Sequence, residues 1–264
     1  MPKTEKELAY LTDLYIHDEW TRRFTELVDK HIDLSDAENL AYLNAGTGNH
    51  ALTLDERFGE KTDIFASCEN AEVLQIALDK GAALSSRVDF SQIRFEDDAF
   101  DAVLADASFA SAEEAADLVE ESIRIARVGG DVAFYLPSSG SFGEIFSLLW
   151  EVIAAEDLGP DAPNVEELIT QIPTAAELET LAKSLGMVNI QRKVENEVFE
   201  YENGEAFITS PLVEDFLLPR WLESLDDDSQ KRVVEALSKL IDSEDGTLSF
   251  RFSVKATLVT GEKG

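Results

Sequence analysis

The sequence predicts an α/β fold in which helices flank a mainly parallel sheet. From Leu40 onward, short apolar runs alternate with amphipathic segments, a pattern typical of successive β-α units. The run FDAVLA at 100–105 is continuously apolar, as expected for a strand covered on both faces. The final segment, 248–258, alternates strictly between apolar and polar residues, which predicts a late strand with one buried face.

The first element is helical. Apolar residues at spacings of three and four predict a helix or helix pair over residues 3–32, with Leu8 and Leu11 near its start. We expect residues 1–36 to form an N-terminal helical lid. Tyr10 and Tyr15 are candidates for covering a ligand, although packing explains them equally well.

Residues 37–137 contain the predicted parallel core. Ser111 and Glu114 form a predicted capping box at the start of its best-marked helix, which Gly129 and Gly130 follow. Two further helices are expected over 50–58 and 71–80. The predicted strands are AYLN at 41–44, DIFAS at 63–67, RVDF at 87–90, FDAVLA at 100–105 and DVAFYLP at 131–137.

Residues 138–264 are predicted to add helices that shape a substrate site, followed by C-terminal strands. The apolar stripe within 142–153 indicates a helix, which would form either a pocket wall or part of the core. Thr174 and Glu177 cap another helix, and VNIQRKVENEVFEY at 188–201 indicates a long strand. Because the connections are short, we expect one domain spanning residues 1–264.

The chain is strongly acidic. Its 54 Asp and Glu against 22 Lys and Arg give a formal charge of −32, while 44% hydrophobic residues are enough to form a folded core. This charge argues against nucleic-acid or anionic-membrane partners, because binding phosphates requires cations. The single Cys68 excludes an intramolecular disulfide, and the charged start lacks a signal peptide's apolar run, so we expect a cytoplasmic protein.

The turn after the first predicted strand is rich in small residues. It reads NAGTGNH over 44–50, and small residues there let a ligand approach the backbone at the start of a helix. Gly46, Gly48 and Ala51 also fit the G-x-G-x-x-A spacing of nicotinamide dinucleotide sites. A tight strand-to-helix turn without a ligand explains the same residues.

A longer pattern favours another cofactor. The stretch DFSQIRFEDDAFD at 89–101 resembles the segment D-x-x-x-[LI]-P-F-x-D-x-x-F-D of class I S-adenosylmethionine-dependent methyltransferases, with Arg94 where proline is common. IARVGGDVAFYLP at 125–137 is similar to the family's Leu-Lys-Pro-Gly-Gly turn and fifth strand. The resemblance covers residues 40–137 in the right order. It implies a Rossmann-like class I methyltransferase fold with a seven-stranded, mainly parallel sheet.

The resemblance also implies the cofactor, S-adenosylmethionine, and a set of residues around it. Asp89 would accept the adenine amino group, Phe90 would pack nearby, and Asp106 would lie beside the reactive end. Gly46 and Gly48 would line the methionine and ribose side. The candidate cofactor-binding residues are Asn44, Ala45, Gly46, Thr47, Gly48, Cys68, Glu69, Asp89, Phe90 and Asp106.

Three positions depart from the family pattern. Asn44 replaces the acidic residue that opens the first motif, and His50 replaces its third glycine. Cys68 aligns with the acidic residue that holds the two ribose hydroxyls. Glu69, one place later, could take over that role if the strand end shifts, which would leave Asn70 as the helix N-cap.

The sequence predicts an S-adenosylmethionine-dependent methyltransferase that acts on a small or lipophilic acceptor. The alternative is a methyltransferase-like protein with weak or no turnover that serves as a partner-binding subunit, with another protein or as a homodimer. A nicotinamide-dependent oxidoreductase is disfavoured, because it leaves the 89–101 segment unexplained.

No catalytic residue and no metal site can be assigned from the sequence. His17, His31 and His50 are too scattered for metal-ligand spacing, and we expect each at the surface or in helix packing. Cys68 is interpreted as a small buried side chain rather than a nucleophile.

Overall fold

The computed structural model describes residues 3–91, 94–156, 158, 162–245 and 249–264. Ile93 of the resembling segment and Leu248 of the predicted last strand lie outside the described residues.

Six strands form one sheet in the order β2-β1-β3-β4-β6-β5. Their bounds are β1 Asn39–Leu43, β2 Asp63–Ala66, β3 Phe100–Asp106, β4 Ala126–Ser138, β5 Met187–Tyr201 and β6 Phe250–Lys263. The α-helices are α1 Glu5–Leu11, α2 Arg22–His31, α3 Asn49–Phe58, α4 Ala71–Leu84, α5 Ala112–Ile125, α6 Gly143–Ala155, α7 Val165–Thr170, α8 Ala175–Ser184, α9 Gly204–Ile208, α10 Leu218–Trp221 and α11 Asp227–Asp245. Two π-helical segments, Thr12–Thr21 and Leu212–Leu217, and a 3₁₀ turn, Gly59–Lys61, complete the order.

The pairing of β1 to β4 confirms the predicted parallel α/β core. β1 lies between β2 and β3, β3 lies between β1 and β4, and all three pairings are parallel. The described residues hold six strands rather than the predicted seven, because the segment 87–90 makes only one bridge, between Asp89 and Phe65. The Asp89 carboxylate accepts a hydrogen bond from the Ser91 backbone N–H at 2.8 Å, and this turn accompanies the end of the pairing.

The chain divides into two compact units. The first comprises the described residues of Met1–Pro137, Pro173–Glu195 and Ala256–Gly264, and the second those of Ser138–Ile172 and Asn196–Lys255. The expectation of a single domain over 1–264 stays a prediction.

In the first unit, the two faces of the sheet have different compositions. One face, called here the apolar face, is packed against α5 and α8. Its buried residues include Leu43, Val103, Val119, Ile123, Phe134, Leu136 and Leu178. The opposite face, called here the tyrosine face, carries Tyr42 on β1, Asp106 on β3 and Tyr135 on β4. The strand register sets this arrangement, since Tyr42 pairs with Leu104, two residues before Asp106, and Asp106 pairs with Tyr135.

The N-terminal helices belong to the core of the first unit. Ile16, Trp20 and Phe24 are each fully buried. The Trp20 ring stacks on Phe109 at a centroid distance of 5.1 Å, and the Phe24 ring stacks on Tyr135 at 5.8 Å. The tyrosine face is therefore covered by α2 and the segment before it.

The second unit has an aromatic core. The α6 helix buries Ile145, Phe146 and Leu149, and the Trp221 ring lies 5.0 Å from that of Phe146. Phe199 and Phe252 stack at 4.8 Å. The apolar stripe predicted in 142–153 is thus mainly a core stripe. Its outer residues line a cavity of about 180 Å³ formed by Trp150, Ile153, Ala154, Pro163, Asn164 and Val165.

Candidate functional site

A five-residue loop, Asn44–Gly48, joins the carboxyl end of β1 to α3. Asn44, Gly46 and Gly48 all have positive φ angles, of 54°, 57° and 80°. The backbone N–H of Ala45 donates to the Ser67 carbonyl at 2.7 Å, so the loop is attached to the end of β2. The connection therefore needs left-handed residues in close succession, which explains the run of small residues in the sequence.

The two glycines of the loop have different surroundings. No atom lies within 4 Å of the position that a Cβ of Gly46 would take, so Gly46 faces open space. A Cβ on Gly48 would lie 2.8 Å from Cζ of Phe90. Phe90 is only 3% exposed and fills the space against Gly48. The structure thus places Phe90 under the turn, and Gly46 is the glycine that a ligand can approach.

Glu69 lies beside this loop. Its carboxylate accepts a hydrogen bond from the backbone N–H of Gly46. The residue is exposed to solvent, yet protein atoms surround it closely, a combination typical of a concave surface. Desolvation by these atoms, and then the negative charge of Asp106, raise the pKa of Glu69 to about 7. The residue one place after Cys68 is therefore brought to the glycine loop.

Cys68 has the character of a small, unreactive side chain. Burial, with the neighbouring Glu69 charge, raises the pKa of its thiol to about 12. A thiol with such a pKa stays protonated at neutral pH and is a poor nucleophile.

Asp89 lies at the edge of the sheet, next to β2. Its backbone bonds to that of Ile64 and Ala66 at 2.8 and 2.9 Å. Its Oδ1 accepts hydrogen bonds from the backbone N–H and the hydroxyl of Ser91, at 2.8 and 2.5 Å. The carboxylate is thus oriented by its own turn, and the role that the resemblance gives it stays a prediction.

A chain of buried hydrogen bonds starts at Asp106. The Tyr135 hydroxyl is hydrogen-bonded to the Asp106 carboxylate and lies 2.7 Å from the Tyr42 hydroxyl. The Tyr42 hydroxyl lies 3.1 Å from Nδ1 of His50, whose Nε2 lies 3.4 Å from Oδ1 of Asp29. We call Asp106, Tyr135, Tyr42, His50 and Asp29 the tyrosine chain. It runs from the end of β3 to the surface, where Asp29 is exposed.

Burial changes the acidity of the inner members of this chain. It raises the pKa of Tyr42 and of Tyr135 well above that of an ordinary tyrosine, so both hydroxyls keep their protons. It also raises the pKa of Asp106, although hydrogen bonds from Ser108 and Tyr135 act in the opposite direction.

Sequence reasoning missed the tyrosine chain. Of the two expected locations of His50, the surface is wrong and helix packing fits, since the residue is 6% exposed in α3 and is also hydrogen-bonded through both ring nitrogens. The histidine ring points at Tyr42 and Asp29, so its size does not disturb the loop. A usable signal was present, since Tyr42 and Tyr135 carry polar groups within otherwise apolar strands.

A second polar cluster attaches the N-terminal segment to the loop. Oδ1 of Asp13 accepts hydrogen bonds from the Thr47 hydroxyl at 2.7 Å, from Nδ2 of Asn49 at 3.2 Å and from Nζ of Lys80 at 2.5 Å. Desolvation would raise the pKa of Asp13, but these hydrogen bonds outweigh it and lower that pKa. One carboxylate therefore holds the π-helical segment to the start of α3 and to α4.

Comparison with known families identifies this arrangement. A family model described as a methyltransferase domain matches residues 43–134. That segment contains the loop, Glu69, Asp89 and Asp106. Residues 43–134 are similar to a methyltransferase domain. The match falls within the region 40–137 in which the sequence resembles that family, and it confirms the predicted family and fold. No curated protein sequence matches the chain.

Solved structures agree with the methyltransferase fold. The YcgJ protein from Bacillus subtilis has a TM-score of 0.58 at 14% identity, over 92% of this chain and 98% of that one. Phosphoethanolamine N-methyltransferase 2 from Haemonchus contortus, solved with phosphomonomethylethanolamine and S-adenosylhomocysteine, has a TM-score of 0.56 at 14% identity, over 98% of this chain and 58% of its own.

A third similar structure carries a different acceptor. Geranyl diphosphate C-methyltransferase from Streptomyces coelicolor A3(2), solved with Mg²⁺, geranyl diphosphate and S-adenosylhomocysteine, has a TM-score of 0.50 at 14% identity, over 100% of this chain and 86% of that one. The three likenesses show that the chain has the methyltransferase fold.

Two further observations concern the described part of the chain. It holds no group of three or more His, Cys, Asp or Glu side chains placed to bind a metal ion. None of its helices combines the length and the apolar character needed to cross a bilayer.

Proposed function

We propose that this chain is an S-adenosylmethionine-dependent methyltransferase that acts on a small or lipophilic acceptor. The observation that carries the proposal is the position of Glu69. The family places an acidic residue at the end of the second strand, where this sequence has Cys68. The Glu69 carboxylate accepts a hydrogen bond from the Gly46 backbone beside the glycine loop, which supports a role in accepting hydrogen bonds from a ribose diol.

The residues around the loop fit the cofactor in other respects. Gly46 faces open space, so a ligand can approach the backbone there without meeting a side chain. Asp106 and Glu69 are close enough for the charge of one to affect the pKa of the other, so this end of the sheet is acidic. Acidic side chains favour a cationic ligand, and a sulfonium is a cation.

The protein's contribution to the reaction is mainly one of positioning. S-adenosylmethionine, when bound, supplies a methyl group attached to a positively charged sulfur. Glu69 and Asp89 would hold the two ends of the nucleoside, and the Asn44–Gly48 loop would fix the remaining part. An acceptor held in line needs little further assistance, because alignment supplies much of the rate of a displacement.

The acceptor is proposed as a class only. The solved neighbours named above hold phosphomonomethylethanolamine and geranyl diphosphate, which supports a small-molecule acceptor. The formal charge of −32 further supports an acceptor other than nucleic acid.

A second candidate is a methyltransferase-like subunit without turnover, which binds another protein or a second copy of itself. Asn44 and Cys68 favour it, because two acidic positions of the family lack their carboxylates here. Losing a charge-assisted hydrogen bond without a substitute costs about 1.5–3 kcal/mol, which is about one to two orders of magnitude in affinity.

Isothermal titration calorimetry with S-adenosylmethionine separates the two candidates. We expect micromolar binding that Glu69→Gln and Asp89→Ala each weaken by at least about tenfold. Glu96→Gln is the matched control, since Glu96 is an exposed carboxylate on the segment between Asp89 and β3. Absence of binding at millimolar cofactor would exclude the enzyme, and equal weakening by Glu96→Gln would exclude the assigned roles.

A further inference from the structure

The tyrosine chain joins the half-buried carboxylate of Asp106 to the protein surface through groups that can each pass on a proton. The three measured separations, 2.7, 3.1 and 3.4 Å, link two hydroxyls, an imidazole and an exposed carboxylate. With the hydrogen bond between Asp106 and Tyr135, the path is continuous. The position of Asp106 at the end of β3 gives the path an inner end beside the glycine loop and Glu69.

We propose that Asp106 and His50 share one mobile proton through the hydroxyls of Tyr135 and Tyr42, and that this chain receives the proton released by the acceptor. The use of the chain rests on the proposed methyltransferase function. The sharing of the proton is independent of the proposed function, because it depends only on groups present in the protein.

Two hydrogen-bond registers satisfy every member of the chain. In the first, the Asp106 carboxyl is protonated and donates to Tyr135, Tyr135 donates to Tyr42, and Tyr42 donates to Nδ1 of a neutral His50. In the second, all three protons have moved one step, so that Asp106 is a carboxylate and His50 an imidazolium. In both registers Nε2–H of His50 faces Asp29. The two registers contain the same number of protons.

The chain has a use in methyl transfer. When the acceptor atom bonds to the methyl group, the electron pair of the broken carbon–sulfur bond stays on sulfur, and the acceptor loses a proton. Asp106 is a carboxylate before the reaction and takes that proton, which completes the first register, and three transfers along the chain then convert His50 to the imidazolium. Loss of the Nε2 proton to water at exposed Asp29 completes the transfer. The hydroxyls and the imidazole tautomer return to their orientations in the first register, with Asp106 again a carboxylate that can take the next proton. Asp106 is the group that meets the substrate, while Tyr135, Tyr42 and His50 are positioning residues.

The charged surroundings of His50 are compatible with an imidazolium. Asp29 of α2 faces Nε2, and Arg57 of α3 pairs with Asp29 at 2.8 Å. His17 of the π-helical segment is close enough for His50 to affect its pKa, which desolvation already lowers. Near the other end, Glu69 interacts with Asp106. The negative groups lie at the two ends of the path and the hydroxyls between them.

The test follows the imidazole of His50 by nuclear magnetic resonance in the protein without cofactor. The chain has three histidines, so His17→Gln and His31→Gln suffice to assign the signals. We expect Asp106→Asn to lower the titration midpoint of His50 by about 1 pH unit, because the imidazolium loses its partner carboxylate. In the Tyr135→Phe background the same substitution should shift the midpoint by less than about 0.3 unit.

A purely structural role predicts a different result. The phenylalanine variants would then lose stability, while the midpoint of His50 would not depend on Asp106, or would depend on it equally with and without the Tyr135 hydroxyl. Either result would overturn the proposal. If Asp106→Asn does not fold, Tyr42→Phe gives a second measurement, because it removes the hydroxyl through which a proton reaches Nδ1 of His50. The ¹⁵N shift of Nδ1 should then move toward that of an unprotonated nitrogen, while Nε2–H stays on Asp29. An unchanged Nδ1 shift would also count against the proposal.

The two proposals fail separately. The histidine titrations use no cofactor, so a lack of S-adenosylmethionine binding bears on the proposed function alone. A titration midpoint of His50 that does not depend on Asp106 bears on proton sharing in the tyrosine chain alone.

Discussion

The two faces of the sheet in the first unit are equally buried but differently built. Phe134 and Tyr135 are neighbours on β4, each with none of its surface exposed, and their side chains point to opposite faces. Phe134 belongs to a cluster made only of apolar residues, whereas Tyr135 is hydrogen-bonded to Tyr42 and Asp106. Burying polar groups is costly unless each finds a partner. The apolar face therefore stabilises the fold, and the tyrosine face holds ionisable groups that are shielded from solvent and hydrogen-bonded to one another.

The largest difference between the faces should appear in the free energy of unfolding. Phe134→Ala removes a ring from a close-packed cluster and should cost about 3–5 kcal/mol. Tyr135→Phe keeps the ring and removes one hydroxyl, which leaves Asp106 and Tyr42 short of a partner and should cost about 1–3 kcal/mol. Urea denaturation followed by circular dichroism measures both. Equal costs would contradict the division between the faces.

The glycine loop shows the same division on a smaller scale, with Gly48 against packed protein and Gly46 against open space. Alanine at either site must adopt a positive φ, at a cost of about 1–2 kcal/mol. Gly48→Ala should cost a further 1–3 kcal/mol or so, because its Cβ would meet the Phe90 ring at 2.8 Å. Thermal unfolding of the two variants, side by side, provides the comparison. A Gly46→Ala variant as unstable as Gly48→Ala would show that the space at Gly46 is not open.

The smallest expected effect is a pH dependence of the free energy of unfolding, which arises from Glu69 beside the glycine loop. The pKa of Glu69 is about 7 in the native protein against an ordinary value of 4.5, so the native state holds the proton more tightly than the unfolded state does. The stability linked to this proton is fully present below the ordinary pKa and is lost as the pH rises through about 7.

We expect Glu69→Gln to remove this loss. Its free energy of unfolding, relative to the unmodified protein, should rise between about pH 5.5 and about pH 8. Glu96→Gln is the matched control, since it removes an exposed carboxylate from the segment between Asp89 and β3. Urea titrations at several pH values measure the difference. A flat difference for Glu69→Gln would mean that its carboxyl is not desolvated by its surroundings.

The sequence predicts the framework of the apolar face better than that of the tyrosine face. Apolar runs such as 100–105 and the capping box at Ser111 identify β3 and α5, because local pattern is enough to define them. The segment 87–90 was assigned as a strand on the same kind of pattern. It forms only one bridge, because strand length depends on where the chain turns away.

The candidate site is predictable where a motif fixes it. The glycine loop and Glu69 lie together because they follow the ends of two neighbouring parallel strands. The tyrosine chain was not predicted, because Tyr42, His50 and Tyr135 are distant in sequence and meet only through the strand register. Its most distant member, Asp29, lies in a helix that precedes the recognisable motifs altogether.

The burial of the N-terminal helices sets a limit on how this chain can be shortened. The family match begins at residue 43, yet the rings that cover Tyr135 come from upstream, with Phe24 in direct contact. The Asp13 carboxylate likewise contacts three side chains of the matched segment from outside it. A chain shortened to the match would leave the tyrosine face in water and would lose Asp29. The boundaries of the recognisable sequence are therefore not the boundaries of the piece that folds.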